Sequence, residues 1–237
     1  MLLLATDLDG TLLGGHEDEK LKLYKILNEN PGIKVVFVTG RGLDSVKPLL
    51  DDPIIPNPDY IICDVGATVV DGATLKPVEP IQSEINDRWP GALKVDLYMK
   101  EVPGLRKQLV PMERRCSYYY DEAVDMKMLE ENAKELGLDV IVSAGKFIDI
   151  LPGGINKGFT LRKLMEMLNV PEGEIIVAGD TLNDLSLFQT GYNGVVVGGA
   201  EDVLKEATAD QKSVFHATSN GCGGIIEGFR FFGHLEY

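Results

Sequence analysis

Short runs of apolar and β-branched residues recur at 2–8, 34–38, 60–65, 174–178, 194–197 and 213–216, and each is read as a strand. They are apolar at consecutive positions, as strands buried on both faces must be. Between them lie stretches with helical periodicity, at 19–28, 43–50, 157–168, 183–189, 200–207 and 223–232. In 157–168 one face gathers Phe159, Leu161, Leu164, Met165 and Leu168, and Asn156 stands where an N-cap is needed. Strand and helix alternating in this way predict a parallel sheet covered by helices on two sides.

The middle of the chain has a different pattern. After 60–65 a hairpin is expected, with 68–70 returning along 75–78 through an Asp71-Gly72 turn. From Pro80 to Pro152 the pattern predicts a helix from 81 to 89 and beyond, a strand at 115–120 and a helix at 123–136. Two strands follow, 139–143 and 147–151, joined at Gly145-Lys146. The fold class is therefore α/β: a Rossmann-like parallel-sheet core, residues 1–79 and 153–237, with an inserted α/β cap, residues 80–152. Hinges are expected at 72–80 and at Pro152-Gly153-Gly154, where glycine and proline bracket the insertion.

Composition narrows the class without naming a function. A chain of 237 residues buries a core without disulfide or metal staples, and 44% hydrophobic with 25% charged residues excludes disordered and fibrous proteins. The 23 basic and 37 acidic residues leave a formal charge of −14, which argues against nucleic acid and anionic membrane as partners. An anionic substrate then needs a local positive site. Cys63, Cys116 and Cys222 are widely spaced with no CxxC, as a reducing compartment allows. The opening Met-Leu-Leu-Leu-Ala is interrupted by Asp7 and Asp9, too early for a signal peptide, and no run approaches the ~18 apolar residues of a membrane span. A soluble, cytoplasmic protein is expected. His16, His216 and His234 lack metal-ligand spacing.

Four segments carry candidate chemistry. In Asp7-Leu8-Asp9-Gly10-Thr11 at a strand end, alternation puts Asp7 and Asp9 on one face, and Gly10 lets the chain turn at the carboxyl edge of the sheet. Paired carboxylates there suggest Mg²⁺; a solvated acidic turn is the plain alternative. Thr39-Gly40-Arg41 ends the next strand and offers a hydroxyl and backbone N–H groups to an anion, although such a segment is often just a turn. Lys157, opening a helix, adds full charge to a partially positive terminus, or is an ordinary surface lysine. Asp180 and Asp184, in Gly179-Asp180-Thr181-Leu182-Asn183-Asp184, add two further oxygen donors at the same sheet edge. Each plain alternative survives singly, but Asp7, Asp9, Asp180 and Asp184 around one point would repel severely without a metal and a compensating lysine.

Together and in order, DLDGT, TGR, NKG and GDTLND resemble the four motifs of the haloacid dehalogenase superfamily of phosphohydrolases, over essentially the whole chain. The resemblance implies an Mg²⁺-dependent phosphatase in which Asp7 is the nucleophile and Asp9 the acid and base. Thr39 and Lys157 would bind phosphate, and Asp7, Asp9, Asp180 and Asp184 would form the metal site. It also implies that the insertion is a cap closing over substrate, with Thr39, Gly40, Arg41, Gly66, Lys146, Asp149 and Asn183 as substrate-binding candidates. Phosphoryl transfer needs the same parts: an in-line nucleophile, cations on the equatorial oxygens and a proton for the leaving group.

The segment from Ser143 through Lys146, Phe147 and Asp149 to Pro152, running on to Asn156-Lys157-Gly158, is similar to the sucrose-phosphate phosphatase branch, as is the tail 216–225. Related branches act on glucosylglycerol, mannosylfructose or mannosylglycerate phosphates. One departure weighs against sucrose phosphate itself: Ala67-Thr68 stands where sucrose phosphatases tend to carry a polar residue and an acid. Lys146 and Asp149 either hold sugar hydroxyls or form an ordinary charged hairpin. Tyr118-Tyr119-Tyr120 alternate along a strand, so packing of the cap's own sheet explains them better than sugar stacking. Trp89 and Arg114-Arg115 stay ambiguous. The resulting expectation is hydrolysis of a phosphorylated sugar, of disaccharide or glycosyl-polyol type, through an aspartyl-phosphate. A hexose phosphomutase and a non-catalytic sugar-binding module are the alternatives.

Overall fold

The computed structural model describes residues 1–109, 114–143 and 145–235; Ala144, inside the segment resembling the sucrose-phosphate branch, lies outside the described residues, as does the end of the 153–237 span. The chain starts with β1 (Leu2–Thr6), buried throughout. Leu3 and Ala5 enter one apolar cluster and Leu2 and Leu4 another, so this strand is packed on both faces. Then come α1 (Glu17–Glu29), β2 (Ile33–Val38), α2 (Leu43–Leu50), β3 (Tyr60–Cys63) and β4 (Thr68–Asp71).

The insertion comprises α3 (Ile81–Asp87), α4 (Ala92–Met99), β5 (Leu105–Lys107), β6 (Cys116–Tyr120), α5 (Met126–Glu135), β7 (Leu138–Ser143) and β8 (Phe147–Pro152). The core resumes with α6 (Lys157–Leu168), β9 (Ile175–Gly179), α7 (Leu185–Phe188), β10 (Asn193–Val196), α8 (Asp202–Thr208), β11 (Val214–His216) and α9 (Gly221–Phe231).

The core sheet has seven strands in the order β11-β10-β9-β1-β2-β3-β4, parallel except for β4. Chain order reverses at β1, with β2 on one side and β9 on the other, so the crevice at their carboxyl ends is the ligand-binding position of such sheets. The α/β class, parallel core and separate small sheet are as the sequence pattern predicts. No helix among the described residues is long and apolar enough to cross a membrane.

Several details differ from the sequence reading. The hairpin is β3–β4, turned at residues 64–66, where Asp64, Val65 and Gly66 all take positive φ. The expected return along 75–78 is reduced to one bridge, Val70 to Pro77, because Pro77 has no N–H to continue a ladder. The long helix from 81 is two, separated at Pro90-Gly91, with Gly91 at φ 97° capping α4. α3 also belongs to the core by packing: Ile81 and Ile85 share a cluster with Leu161 and Leu164 of α6. The change to cap packing thus falls after α3 rather than at Pro80, and the cap's own cluster includes Val95, Met99, Leu129 and Ala133. β5 was not legible, being three residues long.

The cap sheet is antiparallel, ordered β5-β6-β8-β7. Cys116 and Tyr118 of β6 and Ile148 and Ile150 of β8 pack into the cluster formed with α4 and α5. Alternation turns Ser117 and Tyr119, and their cross-strand partners Asp149 and Phe147, to the other face.

Candidate active site

Backbone pairing brings the motif residues to one edge. The Asp7 N–H bonds to the Ala178 carbonyl at 2.9 Å, tying the ends of β1 and β9. Gly10 then turns the chain at φ 80°, and a Cβ there would lie 2.1 Å from an Asp180 carboxylate oxygen. Both the conformation and the close approach call for glycine. Asp184 is fixed through Oδ2, which accepts the N–H groups of Asp180 (3.0 Å) and Thr181 (3.1 Å). Lys157 opens α6, where Asn156 caps the helix by accepting the Phe159 N–H at 2.9 Å.

Lys157 is fully buried, with Nζ 2.7 Å from Asp7 Oδ1 and 2.6 Å from Asp184 Oδ1. Thr11 donates its hydroxyl to Asp180 Oδ1 at 3.0 Å. Asp7, Asp180 and Asp184 each offer a carboxylate oxygen within 4.8 Å of the others. Burial, reinforced by Asp184 and Asp180 against the pull of Lys157, pushes the Asp7 carboxyl up to about 8. Burial and Asp184 raise Asp180 to about 7. Burial opposes the charge on Lys157, but Asp184 and Asp7 outweigh it and its pKa is raised. Three acids facing one lysine leave the cluster short of positive charge. Asp180 Oδ2 accepts no bond from the described residues, and Asp7 Oδ1 and Asp184 Oδ1 accept only from Lys157, so each acid keeps an oxygen lone pair for a small divalent cation.

The Asp9 carboxylate is not part of this cluster, a correction to the expected gathering of four carboxylates around one point. It meets the Arg41 guanidinium in a two-pronged pair, Oδ1 to Nη2 at 2.5 Å and Oδ2 to Nε at 2.8 Å. The fork geometry of arginine draws it outward, leaving its side chain 62% exposed.

Above the cluster is a cleft of about 400 Å³ between core and cap. Asp7, Asp9, Gly40, Arg41 and Asn183 line it from the core; Gln108, Arg115, Ser143, Phe147 and Asp149 line it from the cap.

The Sucrose-6F-phosphate phosphohydrolase family pattern matches residues 1–233. The chain belongs to this family. Over 236 residues it is 45% identical to a glucosylglycerol-phosphate synthase of Pseudomonas anguilliseptica, covering 99% of this chain and 31% of that protein. Over 252 residues it is 31% identical to sucrose-phosphatase 1 of Nicotiana tabacum, covering 98% of this chain and 59% of that one. The chain thus spans less than two thirds of either relative's length. In three dimensions it is similar to the sucrose-phosphatase of Synechocystis sp. solved with sucrose and phosphate, at TM-score 0.88, 25% identity and 99% coverage of both chains.

In this sucrose-6F-phosphate phosphohydrolase family member the remaining candidates sort by geometry. Thr39 is buried and is not among the lining residues; its Oγ1 accepts the Arg41 N–H at 3.1 Å. Gly66 does not line the cleft; its carbonyl accepts the Thr160 hydroxyl at 2.7 Å, and a Cβ would come within 2.4 Å of Asn156. It therefore lets the hairpin turn press on α6. Lys146 is exposed, 4.8 Å from the Phe147 ring centre, and is not among the lining residues. Asp149 is buried, accepting from Ser117 Oγ at 2.5 Å and facing Arg115 at 3.6 Å. Burial raises its pKa against the opposing pull of Arg115 and Ser117.

Tyr118 packs inward and bonds Asp96 at 3.0 Å, while Tyr119 leans on Phe147. Arg115, ambiguous in the sequence, lines the cleft, and so do Gln108, Ser143 and Phe147. Strand alternation groups Arg115 with Ser117 and Tyr119, but which face of the cap sheet looks at the core is written nowhere locally.

Proposed function

We propose that this chain is an Mg²⁺-dependent phosphatase that hydrolyses a phosphorylated sugar of disaccharide or glycosyl-polyol type through an aspartyl-phosphate. The observation that carries the reading is the fully buried Lys157 held between Asp7 and Asp184, with Asp180 beside them and a cleft above. Asp7, Asp180 and Asp184 would hold the cation, which would supply positive charge to the phosphoryl group in transfer.

Lys157 fixes Asp7 Oδ1 and leaves Oδ2 to attack phosphorus. The phosphorus–oxygen bond to the sugar breaks, and Asp9 gives its proton to the departing alkoxide. The carboxylate of Asp9 then takes a proton from water, whose oxygen attacks the acyl phosphate, releasing inorganic phosphate and restoring Asp7. A substrate phosphate competing for Arg41 frees Asp9 from the pair seen here. The names of the relatives, a glucosylglycerol-phosphate synthase and a sucrose-phosphatase, support a glycosylated polyol or second sugar as the leaving group. Three free, buried cysteines suit a reducing, cytoplasmic setting.

The test is phosphate release with Mg²⁺ from glucosylglycerol phosphate, sucrose 6F-phosphate, hexose 6-phosphates and a hexose 1-phosphate. Fast release from either of the first two is expected. Isomerised hexose phosphate without release would identify a mutase instead, and inertness towards the whole panel and p-nitrophenyl phosphate would leave a binding module.

A further inference from the structure

The steps above use neither Arg114 nor Arg115, two adjacent cap arginines that both reach the core. Arg114 lies against the β3–β4 turn, donating to the Ala67 carbonyl and the Thr68 hydroxyl, each at 3.1 Å. Arg115 is engaged differently. It is buried, with Nη1 donating to the Gly40 carbonyl and Nη2 3.2 Å from Asp64 Oδ1, both in the core. On the cap side Nη1 lies 3.6 Å from Asp149. Asp64 is itself fixed by the Thr68 hydroxyl at 2.7 Å, so Thr68, standing where the resembled branch tends to carry an acid, here supports an acid four residues earlier.

With these contacts made, Nε of Arg115 is buried and has no partner among the described residues. A buried donor is rarely left unmatched, because it has lost water and gained nothing. Across the same cleft, Oδ1 of Asn183 is also buried and unpartnered, and both residues line that space. One orphan is a donor on the cap and the other an acceptor on the core. A hydroxyl has the chemistry for both, as acceptor from Nε and donor to Oδ1; an unprotonated phosphate oxygen or an ether oxygen lacks the second.

We propose that Arg115 is the residue with which the cap recognises the organic part of the substrate, presenting Nε to a sugar or polyol hydroxyl that also bonds Asn183, with Asp149 as its positioning residue. The inference rests on the phosphatase reading for the identity of the substrate but not for the existence of the hydroxyl site. The Gly40 carbonyl sits between Thr39 and Arg41. Arg115 therefore links the occupied cap to the loop beside the phosphate position, and closure and recognition share one side chain.

The experiment compares wild type with R115A, R115K and D149N. Its first readout is the ratio of kcat/KM for glucosylglycerol phosphate to that for p-nitrophenyl phosphate, which has no sugar hydroxyl. R115A is expected to lower the ratio at least about tenfold, chiefly through KM, and R115K to recover little, since a lysine ammonium has no Nε set in a planar fork. D149N is expected to lower it by a smaller factor. Equal losses on both substrates, or full recovery in R115K, would overturn the proposal in favour of a structural or purely electrostatic role.

The second readout needs no turnover: calorimetric binding of glucosylglycerol and of sucrose in the presence of inorganic phosphate and Mg²⁺. Wild type should bind at least one of them, and R115A, measured well below its own melting temperature with far-UV circular dichroism as the check on folding, should bind it at least about tenfold more weakly. A wild type that binds neither would overturn the hydroxyl site. A wild type that binds one but cleaves neither phosphate ester would defeat the phosphatase reading while leaving this inference standing.

Discussion

The two sheets of this protein use their side chains in opposite ways. The core sheet is packed on both faces, so Leu2, Leu3, Leu4 and Ala5 of β1 fill space, and the candidate site begins where the strand stops, at Asp7. The cap sheet is packed on one face, through Cys116, Tyr118, Ile148 and Ile150, while Asp149 and Phe147 on the other face line the cleft. In the core, distance along the strand decides whether a residue can touch substrate. In the cap, parity decides it. The difference follows from topology: parallel strands covered by helices leave their ends open, and an antiparallel sheet with helices on one side leaves a face open.

The sharpest way to break the contrast is at the core edge. Asp7→Asn should lower turnover of p-nitrophenyl phosphate by about 10⁴-fold or more, because an amide is a poor nucleophile, with no loss of melting temperature. Retained activity above a few per cent would remove Asp7 from its role.

Next comes the charge balance under the cleft. Lys157→Met leaves Asp7 and Asp184 buried without their shared cation, so in EDTA it should cost about 3–5 kcal/mol of stability by urea unfolding. Mg²⁺ should return part of that loss; an equal loss with and without Mg²⁺ would count against the three-acid cation site.

The same cluster predicts a pH dependence for the metal-free wild type. The folded carboxyls of Asp7 and Asp180 are raised from 3.8 to about 8 and about 7, so between those limits the folded state holds more protons than the unfolded one. Stability then falls as pH rises from about 4 to 8. Mg²⁺ binding to the ionised cluster should oppose that fall, so the melting temperature gained on adding Mg²⁺ should be larger at pH 8 than at pH 5. A gain that shrank with pH would contradict it.

Smaller effects probe parity in the cap. Tyr118→Phe removes a hydroxyl bonded to Asp96 on the packed face and should cost about 1 kcal/mol of stability while leaving the preference between sugar phosphate and aryl phosphate as it was. Ser117→Ala, one residue away on the cleft face, should shift that preference by loosening Asp149. If the two variants exchanged phenotypes, the assignment of faces would be wrong. Lys146→Ala, exposed and away from the cleft lining, should change stability by less than about 0.5 kcal/mol and kcat/KM for the sugar phosphate by less than about twofold. A large drop would restore it to the sugar site.

The residues with a local signature were readable from the chain alone. Asp7 and Asp180 follow apolar strands, Gly10 turns beside them, and Asn156 caps the helix that starts at Lys157; each depends on neighbours within a few positions. Periodicity likewise carried the α/β class, because burial on two faces imprints continuous apolar runs on the sequence. Four outcomes had no such imprint. Asp9 left the expected cluster for Arg41, a partner brought close by the pairing of β1 with β2. The hairpin moved one segment earlier, where Asp64 and Val65 adopt positive φ against their own preference. α3 joined the core although it opens the insertion, because Ile81 and Ile85 meet Leu161 and Leu164 from far along the chain. Arg115 became a cleft residue only when folding set β6 beside β8 and the cap over Gly40. Local spacing encodes what a segment can become and which groups it offers, whereas the partner of each charge depends on contacts between segments that no local pattern records.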